Sequence, residues 1–385
     1  MNIEPDYNTG ISKLDYFIEN NLKNYSRDRN YDFGPDSRNN ISLLSPYISH
    51  RSLFEYDVVK KCLEKYEFDQ IEKFIQEIFW RVYWKGWLEL RPEVWTDFCE
   101  SYQSIEQSKF YQKAVEGNTG IRCFDEWVLE LKENNYLHNH TRMWFASIWI
   151  FSLKLPWQLG AAFFMEHLYD GDPASNTLSW RWVAGIQTKG KHYLARSSNI
   201  SKFTNQRFQY TQLTTDAEPI FEDKNYELKR LDYKNSETKY ENLIIFDSNL
   251  NAQELSDLSE RYKTIFFVLI DNYSRKIKLS HRVMSFKASL IKNISELISN
   301  TKIINLEELE NLLSKNPKID VIYPFVGENL DILNKLSVKL KSQLNFKYKN
   351  QDLYSWQFSN KGFFNFKKNI PNIINKFNLS HEQQK

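Results

Sequence analysis

A chain of 385 residues is longer than one ordinary hydrophobic core organises, so two domains are expected, each able to bury a substantial interior. With 41% hydrophobic and 26% charged residues, and only 11 Gly and 10 Pro, the composition excludes a disordered or low-complexity chain. A formal net charge of +2 excludes a general polycation, so any contact with nucleic acid must come from a local patch.

The elements fall into two runs. Apolar positions at three- and four-residue spacing predict helices over 53–66, 69–90, 122–136 and 141–155, separated by turn clusters such as Gly117-Asn118-Thr119-Gly120. The first 225 residues therefore read as a helical domain. A polar, charged stretch follows, and 226–241 is taken as the linker. From 242 to 385 the period changes. Short β-branched or aromatic runs at 243–247, 264–270, 302–305, 319–325 and 343–348 alternate with helical segments at 251–261, 283–299, 306–315 and 327–341. Apolar strands alternating with helices predict an α/β domain with a parallel sheet covered on both faces. No GxGxxG or P-loop follows any of these strands.

The three cysteines, Cys62, Cys99 and Cys123, lack CxxC spacing, so neither a zinc site nor a disulfide framework is expected, and a cytoplasmic protein is the default. The start MNIEPDYNTG does not read as a signal peptide, and no apolar stretch is long enough for a membrane span. Aromatics make up 16% of the chain, and ten of the eleven Trp lie between Trp80 and Trp182. Such a cluster fills a core or stacks on flat ligands. Residues 141–210 carry eight Lys or Arg against three acids, which suits either a solvated surface or a phosphate-binding face.

The segment 137–185 carries the chemistry. It combines a helix bearing Asn139 and Arg142 with an acidic turn, Asp170-Gly171-Asp172, followed by Asn176 and two tryptophans around an arginine. Buried charges need partners, so Arg142 and Asp170 are expected to pair, whether for structure alone or at a site. His138 and His140 point to different faces of a helix and have no third ligand nearby, so no metal is expected.

The order HN-x-x-R-M, then a Trp thirteen residues before D-G-D-x-A-S-N-x-x-x-W-x-W, resembles the FAD-binding core of the DNA photolyase/cryptochrome family. Upstream, G-x-T-G at 117–120, Q-E-x-x-W-R from Gln76 to Arg81, and LSPYI at 44–48, preceded by Tyr25 and Arg29, agree with it. The resemblance implies an all-helical domain enclosing a bent FAD. Ser42, Ser45 and Arg81 would contact the phosphates, with Tyr25 beside them. Asp170 and Asp172 would meet the ring edge and ribityl chain, Arg142 would pair with Asp170, and Asn176 would face the flavin.

Members that repair cyclobutane pyrimidine dimers place a Glu, an Asn, a Met and two Trp around the lesion, which Glu77, Asn139, Met143, Trp80 and Trp182 would supply here. The resemblance further implies an electron path in which Trp180 and Trp157 match the two inner tryptophans. The outermost has no clear match: Ser104 stands there by ungapped spacing and Tyr102 two residues away. Ile41 stands where many relatives have Thr. DNA containing pyrimidine dimers would dock on Lys154, Arg181, Lys189, Lys191 and Arg196. The expected activity is that of a deoxyribodipyrimidine photolyase acting as a monomer. A cryptochrome-like photoreceptor is the alternative, against which stands the short polar tail after 377; a flavoprotein without light chemistry is a third.

Family members begin with an α/β antenna domain, whereas this chain begins with helices. Its second half, through LIIFDSNL, RVMSFKASLIKNISEL, DVIYPFVGENLD and GFFNFKKNIPNII, resembles that antenna domain, so a circularly permuted order is expected; the other account is an unrelated α/β domain. Whether a second antenna chromophore binds is open, with Tyr323 and Glu328 in the places of a folate contact.

Overall fold

The computed structural model describes residues 3–380, so the last residues of the polar tail, 381–385, lie outside the described residues. Its longest helix, Phe68–Glu89, begins where the Glu67 N–H donates to Gln70 Oε1 at 3.2 Å, satisfying an orphan donor at the helix start. Around it pack the helices Tyr7–Asn20, Glu55–Leu63, Glu93–Ser104, Arg122–Asn134, Asn139–Ser147, Trp157–His167 and Pro173–Val183. The single helix expected over 141–155 is split: Asn139–Ser147 is α-helical and Ile148–Ser152 is a π-helical turn.

Between Phe203 and Asn242 the chain has neither helix nor strand, so the unstructured connection begins well before 226. It lies against the helices as a strap. Ile220 N–H donates to Ala184 O and Lys229 N–H to Leu90 O, each at 2.9 Å.

The strands β1 (Asn242–Phe246), β2 (Thr264–Val268), β3 (Thr301–Ile304), β4 (Lys318–Ile322) and β5 (Gln343–Lys347) form one parallel sheet in the order β3-β2-β1-β4-β5. Alternation along β1 divides the core. Leu243 and Ile245 face the helix His281–Glu296 and join the core of the helical half, while Ile244 and Phe246 face the helices Leu306–Lys315 and Glu328–Leu340. The expected fold class is therefore present: a helical domain followed by a doubly wound α/β domain. The strand expected over 319–325 stops at Ile322, and Phe325 turns out of the sheet with φ of 67°.

The closing segment departs further from the α/β reading. The helices Asn350–Trp356, Phe363–Lys367 and Ile370–Lys376 pack on the helical half. Arg51, fully buried, holds Asp352 through two 2.7 Å hydrogen bonds and also pairs with Glu55 at 3.0 Å. Gly86 on the long helix is where Trp356 comes closest, since a Cβ there would lie 2.5 Å from its ring.

Candidate functional site

The acidic turn organises the site locally. Asp172 caps the helix Pro173–Val183, its Oδ1 accepting from the N–H groups of Ala174 at 3.1 Å and Ser175 at 3.0 Å, with Pro173 as first helical residue. One turn in, Asn176 faces a cavity and donates its Nδ2 to Ala161 O at 2.8 Å, which leaves its amide oxygen for a ligand. Arg142 reaches from the helix Asn139–Ser147 to Asp170 at 2.9 Å and is itself fixed by Leu137 O.

Burial acts to raise the Asp170 pKa, but the Arg142 guanidinium outweighs it and holds the carboxyl below the usual range. Its Oδ1 is buried without a hydrogen-bond partner. An orphaned carboxylate oxygen on a cavity wall fits a ligand that brings an N–H or O–H donor.

The cavity has two lobes with a shared wall. One, of about 490 Å³, is lined by Tyr25, Ser42 and Ser45; the other, of about 400 Å³, by Trp80, Asn176 and Trp182. Glu77, Arg81, Asn139, Arg142, Met143 and Asp170 line both. Volumes in this range hold cofactor-sized molecules. A bent dinucleotide fits this arrangement: hydroxyls and Arg81 for phosphates on one side, an unmet acceptor and the Asn176 amide for a polar ring edge on the other. The aromatic walls are backed by further rings. Trp80 stacks on Phe363 with centroids 3.5 Å apart, and Trp182 on Tyr193 at 5.8 Å. Glu77 is paired with Arg29.

Some expected residues lie elsewhere. Asp172 lines neither lobe; its carboxylate is taken by the helix cap and by Arg81, and it faces a small hollow between the two halves. Arg181, expected on a DNA-docking surface, is instead buried at 5% exposure and paired with Glu222 of the strap at 2.6 Å, so it cannot meet a phosphate in this arrangement. Lys154, Lys189, Lys191 and Arg196 are exposed, the last two flanking Tyr193 beside Trp182. Trp180 and Trp157 are buried and Tyr102 is half-buried, but among the described residues no ring contact joins Trp157 to either of the other two.

The folate candidates are engaged within the protein. Tyr323 donates to Glu89 at 2.7 Å, and Glu328 accepts from the Lys276 N–H and pairs with Arg275. Glu89 reaches into the mouth of the sheet from the long helix, and burial pushes its carboxyl up to about 7. Among the described residues no group of three His, Cys, Asp or Glu is placed to hold a metal, and no helix is long and apolar enough to cross a membrane. The sequence reading gave no role to Phe363, Tyr193 or Glu222. Each meets its partner only through the tertiary fold, and Phe363 lies in a segment read as part of the other domain.

His138 caps the Asn139–Ser147 helix with Nδ1 as acceptor for the His140 N–H at 3.2 Å, so that nitrogen carries no proton. Burial, and to a lesser extent the nearby Arg38, push its pKa down from 6.5 to about 4 against the pull of Asp32. A base with a depressed folded pKa contributes stability above its unfolded value, lost as pH falls. Denaturant unfolding of the wild type is therefore expected to weaken between pH 6.5 and 4 more than that of His138→Asn, which keeps a capping acceptor. Equal slopes would show that His138 is not the group responsible.

The fold and this site define a class: a two-domain protein whose helical half encloses a two-lobed site for a flavin dinucleotide. Residues 74–212 match the family model described as the FAD binding domain of DNA photolyase. This match covers a little over a third of the chain and lies in its helical half, which is similar to the FAD-binding domain of DNA photolyases. It is 30% identical over 188 residues to the deoxyribodipyrimidine photo-lyase of Agrobacterium fabrum, covering 47% of this chain and 38% of that one. A corresponding match of 25% over 206 residues is made with the Vibrio cholerae protein of the same name, covering 51% and 43%. The chain thus spans about two fifths of the length of these relatives. Among solved structures, the bacterial class III photolyase from Agrobacterium tumefaciens is 28% identical, covering 53% of this chain and 44% of that one with a TM-score of 0.46.

Proposed function

We propose that the protein is a light-dependent repair flavoprotein that splits cyclobutane pyrimidine dimers in DNA. The observation that carries this reading is that Glu77, Trp80, Asn139, Met143 and Trp182 all line one cavity, next to Arg142, Asp170 and Asn176. Bound in reduced form, FAD would supply on illumination the electron that opens the cyclobutane ring and would accept it back afterwards.

The side chains supply the rest. Trp80 and Trp182, each backed by another ring, would flank the flipped bases with little loss of side-chain freedom. Glu77, held by Arg29, would hydrogen-bond the pyrimidine edge, Asn139 would hold a base carbonyl, and Met143 would pack beside them. Tyr25, Ser42, Ser45 and Arg81 would hold the phosphates of the cofactor, and Asp170 with Asn176 its ring edge. Lys154, Lys189, Lys191 and Arg196 would meet DNA phosphates, a contribution that weakens as salt rises.

The domain order belongs to the same proposal. A helical domain over 1–225, a linker over 226–241 and an antenna-type domain over 242–385 would be the family arrangement circularly permuted. The doubly wound sheet following the helices supports it.

The test uses the reduced, FAD-loaded protein, an oligonucleotide carrying a thymine dimer, and blue light. Dimer loss only in the light is expected. Glu77→Gln is expected to keep FAD and slow splitting about tenfold or more, the effect of weakening one charged hydrogen bond. Intact dimers beside bound FAD would favour the photoreceptor instead.

A further inference from the structure

Resting on the flavin reading above, we infer that Trp149 and Tyr111 form an electron path from Trp180 to the surface, separate from the one through Trp157. Trp180 lines the second lobe of the cavity and is buried. Its ring meets that of Trp149 edge-on, with centroids 6.2 Å apart and an interplanar angle of 84°. Trp149 in turn meets Tyr111 edge-on at 5.8 Å. Tyr111 opens on a surface hollow of about 450 Å³ that also holds Tyr102, Glu166 and His167. Three oxidisable rings therefore run in contact from the cavity wall to solvent. Electron tunnelling falls steeply with the gap between groups, so successive contacts favour this course.

Two backbone features bring the rings together. Trp149 sits in the π-helical turn Ile148–Ser152, a wide and rare turn that is frequent at functional sites. Gly160 on the facing helix has no side chain where the two indoles converge; a Cβ there would overlap the Trp180 ring and lie 2.9 Å from Trp149.

A hydrogen bond and the ring geometry separate the branches. The Trp149 Nε1–H donates to Pro156 O at 2.9 Å, and this carbonyl dipole stabilises positive charge on the indole. Trp157 makes no ring contact with Trp180 among the described residues, its stacking partner being Phe98.

With oxidised flavin bound and excited by light, Trp180 would be the residue that gives up one electron to it. The hole passes to Trp149 and then to Tyr111. Tyr111 releases its hydroxyl proton into the hollow, to the Glu166 carboxylate or to water, and becomes a neutral radical. A soluble thiol then returns one hydrogen atom to Tyr111 and is itself oxidised by one electron.

The experiment illuminates the protein loaded with oxidised FAD in the presence of a thiol, following flavin bleaching and, by electron paramagnetic resonance, a tyrosyl radical. Tyr111→Phe, which removes only a hydroxyl, and Trp149→Phe are each expected to abolish the tyrosyl signal and slow bleaching about tenfold, with FAD content unchanged. Trp157→Phe is expected to leave the signal in place. A tyrosyl signal that survives Tyr111→Phe, or bleaching as fast in Trp149→Phe as in the wild type, overturns the path while leaving the flavin site standing. A wild type that cannot be loaded with FAD overturns the flavin reading and the path together.

Discussion

Asp170→Asn is expected to yield a folded protein that retains FAD roughly 10- to 100-fold less tightly, the worth of one charged hydrogen bond of about 1.5–3 kcal/mol. The carboxylate is buried, held ionised by Arg142, and carries an oxygen with no partner inside the protein. An amide of the same shape keeps the packing, loses the charge that balances Arg142, and offers a weaker acceptor to the ligand. Flavin absorbance after gel filtration, set against a thermal melt of the apoprotein, checks the result. Because the folded pKa of Asp170 lies below 3.8, any stability it adds is present above that value and lost on further acidification. The melt is therefore taken at neutral pH. Full retention of FAD would show that Asp170 does not meet the cofactor.

The largest effect on stability is expected from Arg51→Met. Arg51 is fully buried and neutralises Glu55 and Asp352, which are buried as well. Removing it strands two carboxylates in the interior, at a cost of about 3–5 kcal/mol for breaking a buried pair. Arg51→Lys is not expected to restore the loss, because the two-pronged grip on Asp352 needs a planar fork. Denaturant titration of both variants reads the effect. A change under about 1 kcal/mol would show that the interior tolerates the charges and that the contact is not central to the fold.

What could be read from the sequence follows from distance along the chain. Asp170, Asp172, Asn176, Trp180 and Trp182 lie on one turn and the helix it caps, so the family pattern they resemble is local in sequence, and four of them line a common cavity. Asp172 caps the helix and lines neither lobe, because the same carboxylate can serve a cap or a ligand and spacing does not separate the two. Arg181 read as a surface cation because its partner Glu222 belongs to a stretch with no periodic pattern. Phe363, which backs Trp80, is nearly 300 residues away from it and lies in a segment whose own pattern suggested the other domain. The strand-helix alternation was legible because β1 to β5 are short apolar runs; the strand after 322 was overextended because Tyr323, Pro324 and Phe325 look like strand residues but serve the interface between the halves.

The two halves also trade ends. The first helix, Tyr7–Asn20, is anchored to the α/β half, where the Tyr7 N–H donates to Asn293 Oδ1 at 2.9 Å and Asn293 donates back to Asp6 at 2.7 Å. The last three helices lie on the helical half through Asp352 and Phe363. Each half thus completes the other's surface with a piece of chain far from the strap that joins them. Pulling the halves apart would uncover both docking surfaces at once, so a hinge opening here would cost the buried Arg51–Asp352 pair and the Tyr7–Asn293 contact together.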